Sequence, residues 1–209
     1  MLTIIQTPLH EWILVYMQVI AIASGKGGVG KTTTTHTLGW ILSEKLKVLM
    51  LDLDPQCSLT ACCNLSEAEG TISDVLAPPS KLTLAQAIRP LSKKLSMLPS
   101  SPELASIELS LSAKIARETI IKRMLATATG YDVCLIDCSP STGLLVLNAL
   151  TGANGVILPV VPEAMNLYAL RSFLDVLDEI RATVNPELQT IGTLVNFYNA
   201  RSNHHQQAL

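Results

Sequence analysis

Residues 25–32 read Gly-Lys-Gly-Gly-Val-Gly-Lys-Thr and satisfy the spacing G-x-x-x-x-G-K-[ST]. The glycines let the main chain curl until successive N–H groups face a single anion, the geometry a phosphate needs. Lys31 adds charge for the β- and γ-phosphates of a nucleoside triphosphate, and Thr32 offers a hydroxyl to Mg²⁺. The expected nucleotide contacts are Gly25, Lys26, Gly27, Gly28, Val29, Gly30, Lys31, Thr32 and Thr33. An apolar run precedes the loop and a helical run follows it, so a helix N-terminus contributes its positive dipole end.

Two other stretches end apolar runs in acids. Lys47-Val-Leu-Met-Leu-Asp52-Leu-Asp54-Pro-Gln puts two carboxylates two residues apart at a strand end, hence on one side of it. Tyr131-Asp-Val-Cys-Leu-Ile-Asp137-Cys-Ser-Pro ends in a single acid, suited to holding Mg²⁺ through water. Ligands of a parallel α/β sheet gather at the carboxyl ends of its strands, so all three acids can approach the loop's phosphates.

These groups need elements to hold them. Short Val/Ile/Leu-rich runs predict strands near 18–23, 47–52, 95–98, 132–137, 155–160 and 190–195. Amphipathic stretches predict helices over 31–45, 103–129, 142–151 and 164–183, with shorter ones between 58 and 88 where Pro78, Pro79 and Pro90 interrupt the chain. In 103–129, Leu104, Ile107, Leu111, Ile115 and Ile120 recur at three to five residues and are expected on one buried face. The fold class is α/β: a mostly parallel, twisted sheet flanked by helices on both faces.

The whole chain has 209 residues, 48% of them hydrophobic, enough for one substantial core. Residues 1–16 read as an N-terminal extension, and 17–209 as a single domain beginning at Met17. A formal charge of −2 excludes a globally basic protein, so contact with nucleic acid would need a local patch. Charged residues are 15%, low for a free surface, which suggests that a partner or second subunit covers part of it.

The loop, with its second lysine at Lys26 in Lys-Gly-Gly-Val-Gly-Lys-Thr-Thr, resembles the deviant Walker A group of the ParA/MinD family. The resemblance extends through Asp52-Leu-Asp54-Pro-Gln, Asp137-Cys-Ser-Pro, Ser141-Thr-Gly-Leu-Leu and Val160-Val-Pro-Glu-Ala, over about residues 17 to 209. It implies a P-loop ATPase using ATP and Mg²⁺, slow without a partner. Lys26 would reach across an ATP-bound sandwich homodimer to the other subunit's phosphates; Asp54 would position the hydrolytic water, with Asp52 supporting the metal shell and Asp137 holding Mg²⁺. Arg201 lies where several ParA-type proteins carry an arginine that grips non-specific DNA. The implied function is to position a plasmid, chromosome or protein body such as a carboxysome, with hydrolysis stimulated by a cargo-bound adaptor protein. The implied localisation is cytoplasmic, on the nucleoid.

Three departures stand out. Ser139 occupies a position where the family usually has proline, and the Lys45–Val48 turn lacks the family's glycine, so an altered connection is expected. The family also continues past Leu209 through another strand and further helices that supply part of the adenine pocket.

Rival readings are a MinD-like membrane-associated regulator of division-site placement and a metabolic ATP-dependent enzyme on the same scaffold. The first needs a basic amphipathic helix, which Ser202-Asn-His-His-Gln-Gln-Ala-Leu does not provide. No apolar run reaches the roughly 18 residues of a membrane span, and no secretory signal is visible. Five cysteines without a repeated C-x-x-C pair read as reduced thiols, and His204 and His205 as solvated side chains.

Overall fold

The computed structural model describes residues 16–66 and 69–201; the N-terminal extension before Tyr16, and His204 and His205, lie outside that range. Among the described residues seven strands form one sheet: β1 (Gln18–Ile22), β2 (Val48–Leu53), β3 (Arg89–Pro90), β4 (Leu95–Leu98), β5 (Val133–Cys138), β6 (Gly155–Val160) and β7 (Gln189–Val195). Their spatial order is β3-β4-β2-β5-β1-β6-β7, parallel throughout except for the β3–β4 pair. The helices are α1 (Lys31–Ser43), α2 (Ser58–Cys62), α3 (Ile72–Leu76), α4 (Leu84–Ala87), α5 (Leu104–Leu111), α6 (Ile120–Leu125), α7 (Leu144–Gly152) and α8 (Ala164–Thr183).

Strand alternation sorts the core into two layers. Val48 and Met50 of β2 and Val133 and Leu135 of β5 pack with Leu38 and Leu42 of α1 and Leu59 of α2. Leu49, Leu51 and Leu53, with Cys134, Ile136 and Cys138, face Ile121, Leu145 and Phe173 on the other side. By the same parity Asp52 and Asp137 fall on the α1 face, directly opposite each other in the β2–β5 register. A methyl group at Gly39 would run into the Met50 side chain, so glycine there allows α1 to lie close on β2.

The six expected strands and the helices over 31–45, 142–151 and 164–183 correspond to observed elements within two residues at each end. The 103–129 helix is corrected: α5 ends at Leu111, a 3₁₀ turn spans Arg117–Thr119, and α6 begins at Ile120. Ala116, at φ 53°, breaks the helical path, and Ile115 is 96% exposed rather than buried with Leu104 and Leu111. The periodic spacing continued past the point where the backbone turned.

The glycine-free turn after α1 is closed by a side chain. Lys94 Nζ donates to the carbonyls of Glu44 at 3.2 Å and Lys45 at 3.0 Å, placing a cation on the helix C-terminus where a left-handed glycine cap would otherwise satisfy such groups.

Candidate nucleotide site

The β1–α1 loop takes the path that its glycines permit. Gly28 and Gly30 have φ 74° and 92°, in the left-handed region. A Cβ on Gly30 would lie 2.6 Å from Asn196 Nδ2, whereas one on Gly28 would meet nothing within 4 Å. Asn196 Nδ2 donates to Val29 O at 2.7 Å, tying the loop to the chain leaving β7. From Gly27 to Thr33 the amides donate no main-chain hydrogen bond among the described residues, so they form a run of donors suited to a phosphate.

Lys31 lies 7% exposed at the start of α1, and its Nζ donates to Lys26 O at 3.1 Å. Burial pushes its pKa down, against the attraction of Asp137, Cys138 and Asp54. Asp137, 1% exposed, accepts from Thr32 Oγ1 at 2.7 Å and Thr35 Oγ1 at 3.4 Å. Burial raises its pKa to about 7; the Thr32 hydrogen bond and Lys31 oppose the rise, and Asp52 and Asp54 add to it. For both Lys31 and Asp137, loss of water outweighs their mutual attraction.

Asp52 is fully buried. Its Oδ2 accepts from Thr60 N at 2.9 Å and Thr60 Oγ1 at 2.7 Å, and its Oδ1 from Asp54 N at 3.2 Å. Burial raises its pKa to about 6 despite these three donors. Asp54, half-buried just beyond β2, accepts from Gln56 N at 2.9 Å through Oδ1, and its Oδ2 has no hydrogen bond among the described residues. Thus one acid braces the β2–α2 turn while the other keeps an oxygen available.

The loop after β5 carries Ser139, whose Oγ lies 3.1 Å from Ser141 Oγ; Ser141 N donates to Ser139 O at 2.9 Å. These bonds hold the turn at Ser139, where the resemblance leads one to expect proline. The same loop lies against the nucleotide loop, since a Cβ on Gly27 would come within 3.9 Å of Pro140.

Thr32, Lys31, Asp52, Asp54 and Asp137 therefore meet at the carboxyl end of the sheet. The half-buried Lys26 shares their loop through its carbonyl, and its amide donates to Ser24 Oγ at 3.4 Å. Arg201 is exposed at the end of the described chain, its amide bonded to Asn199 Oδ1 at 2.9 Å. Asn196, Thr35 and Thr60 were not singled out from the sequence. Thr35 lies one turn beyond Lys31 in a run of threonines, whereas Thr60 and Asn196 carry no local signal.

No group of three or more His, Cys, Asp or Glu among the described residues suits a metal cage. The Thr32–Asp137 pair suits Mg²⁺ instead, which takes one or two protein oxygens and shares the rest with phosphates and water. All five cysteines are free, and no described helix is long and apolar enough to cross a membrane.

The AAA domain family profile matches residues 17–190. An uncharacterized protein of Mycobacterium tuberculosis is 37% identical over 88% of this chain; the chain spans only 59% of that relative's length. The chromosome-partitioning ATPase Soj of Thermus thermophilus is 37% identical, over 88% of this chain and 70% of its own. A crystal structure of cobyrinic acid a,c-diamide synthase from Mycobacterium smegmatis, with bound ATP analog and magnesium, superposes with a TM-score of 0.86 at 34% identity, covering 92% of this chain and 80% of the other. With its phosphate loop, parallel sheet and these relatives, the chain belongs to the AAA domain family whose profile it matches and to the ParA/MinD family of P-loop proteins.

Proposed function

We propose that this chain is a ParA-type ATPase that binds Mg·ATP, closes into a nucleotide-sandwich homodimer, binds DNA non-specifically and positions a cargo. The observation that carries the reading is the pair of lysines in one phosphate loop, Lys31 at the helix start with its ammonium on the carbonyl of Lys26. One lysine serves the subunit's own nucleotide; the other is available to the partner's.

In this reading the loop amides and Lys31 bind the triphosphate, and the hydroxyl of Thr32 and the carboxylate of Asp137 hold Mg²⁺. The ion, when bound, neutralises phosphate charge. Asp52 supports the metal shell through its fixed place beside Asp137, and the available oxygen of Asp54 orients the attacking water. Lys26 completes the site only in a dimer, so turnover is slow until a cargo-bound adaptor stabilises the productive geometry. Arg201 contributes to a sequence-independent hold on DNA phosphates. The cargo class covers a plasmid, a chromosome or a protein body such as a carboxysome, and the working place is the nucleoid in the cytoplasm.

The test is co-sedimentation of the chain with duplex DNA, with and without Mg·ATP, beside phosphate release. The proposal expects ATP-dependent pelleting with DNA and none with anionic liposomes. Liposome binding alone would favour the MinD-like reading. The Mycobacterium smegmatis relative favours a metabolic enzyme as a second reading; that reading requires turnover accelerated by cobyrinic acid and no pelleting with DNA.

A further inference from the structure

A groove of about 910 Å³ runs between the α3–α4 connection and α6. It belongs to the layer of the core opposite Lys31 and Asp137, so an occupant would leave the phosphate loop free. Its floor is apolar, with Val75, Leu82 and Ile120 half-buried. Its rim is basic: Lys81, Lys114 and Arg123 are exposed along it, and no acidic residue lines it among the described residues.

Lys114 and Arg123 have no ion-pair partner among the described residues. Lys81 reaches Asp74 at 3.5 Å but keeps 71% of its side chain exposed. In a chain of net charge −2, the unpaired Lys114 and Arg123 make this rim a local positive excess. We propose that the groove docks a short acidic segment of a partner protein, with its apolar side chains on the floor and its carboxylates against Lys81, Lys114 and Arg123. Such a ligand matches both halves of the surface: buried apolar contact supplies affinity, and the charges set orientation and encounter rate. A nucleic acid backbone would satisfy the rim and leave the floor uncovered. A small anion would use the rim alone.

The test is a selection of random peptides, displayed on phage, against the full chain, followed by fluorescence anisotropy with the enriched peptides as labelled synthetic probes. Acidic peptides carrying Leu, Ile or Phe should be enriched. Their affinity should fall about tenfold or more in K114E/R123E and largely survive in R123K. It should also weaken with added salt, as exposed charge pairs do. Thermal melts establish that the variants fold; should K114E/R123E fail to fold, K114Q/R123Q takes its place. The proposal is overturned if acidic peptides are not enriched, or if their binding ignores these substitutions. It is equally overturned if the groove variants lose binding to a short DNA duplex, or lose self-association on a sizing column, while peptide affinity is unchanged.

Discussion

The hydroxyl of Thr32 donates to Asp137 Oδ2 across 2.7 Å, joining the start of α1 to the end of β5. The two residues are distant in sequence and become neighbours because β5 lies between β1 and β2, beneath the helix that crosses from one to the other. A hydroxyl and a carboxylate side by side at the mouth of the phosphate loop form the smallest protein contribution that Mg²⁺ needs when phosphates complete its shell.

Removing that hydroxyl tests the relationship. Thr32→Val should lower folding stability by about 1–3 kcal/mol, because the buried Asp137 loses its shortest donor. The same variant should bind ATP with an affinity that depends less on Mg²⁺ than that of the natural sequence. Urea denaturation and nucleotide titrations with and without Mg²⁺ would check the two parts separately.

Asp52 and Asp137 give the folded chain a pH dependence of known sign. A carboxyl whose folded pKa exceeds its unfolded value binds its proton more tightly in the folded state. The stability these two groups contribute is therefore greatest in acid and is lost as pH rises from the ordinary 3.8 through about 6 for Asp52 and about 7 for Asp137. Asp74 and Glu103, held below their ordinary values of 3.8 and 4.5, gain stability as pH rises to those values, so they oppose the fall only in its most acidic part. The melting temperature of the ligand-free chain should fall between about pH 5 and pH 7.5, and Asp137→Asn should reduce that slope.

Asp54 and Lys26 should separate hydrolysis from assembly. Asp54→Ala is expected to bind ATP and dimerise yet release no phosphate, because Asp52 is committed to Thr60 and cannot take over the water. Lys26→Ala should bind ATP as a monomer. Phosphate release and size-exclusion chromatography with Mg·ATP provide the readouts; normal turnover by the first variant, or an ATP-dependent dimer of the second, would contradict the assignments.

Much of the site was legible because its parts obey strict local rules. The phosphate loop must be glycine-rich, lie between a strand and a helix, and carry Lys31 and Thr32 at its end; sequence spacing records all of that. Period-two spacing likewise put Asp52 and Asp54 on one side of a strand end, whereas the pairing of Asp52 with Asp137 came only with the β2–β5 register. Asn196 was not legible: its contact with Val29 depends on β7 lying beyond β6, a tertiary fact without a local signal. Thr60, the clamp on Asp52, is equally silent. The 103–129 reading failed for a different reason: apolar spacing reports which residues could share a face, whereas the left-handed Ala116 decides where the helix stops.

Lys94 offers a check on the unexpected cap. Lys94→Ala removes two hydrogen bonds to the carbonyls of Glu44 and Lys45, just past α1, and should cost about 0.5–1.5 kcal/mol. A compensating glycine at Leu46 should not be needed for folding. Chemical denaturation of the single variant would show the loss, and an unchanged midpoint would mean that water replaces the ammonium without cost.

The central claim is that the glycine loop with Lys31 binds a magnesium-complexed triphosphate. Isothermal titration calorimetry of the folded chain with Mg·ATP tests it most directly, with Lys31→Ala as the comparison. The account predicts saturable binding by the natural sequence and none by the variant. An absence of heat from the folded natural sequence, or equal affinity in the variant, would contradict it.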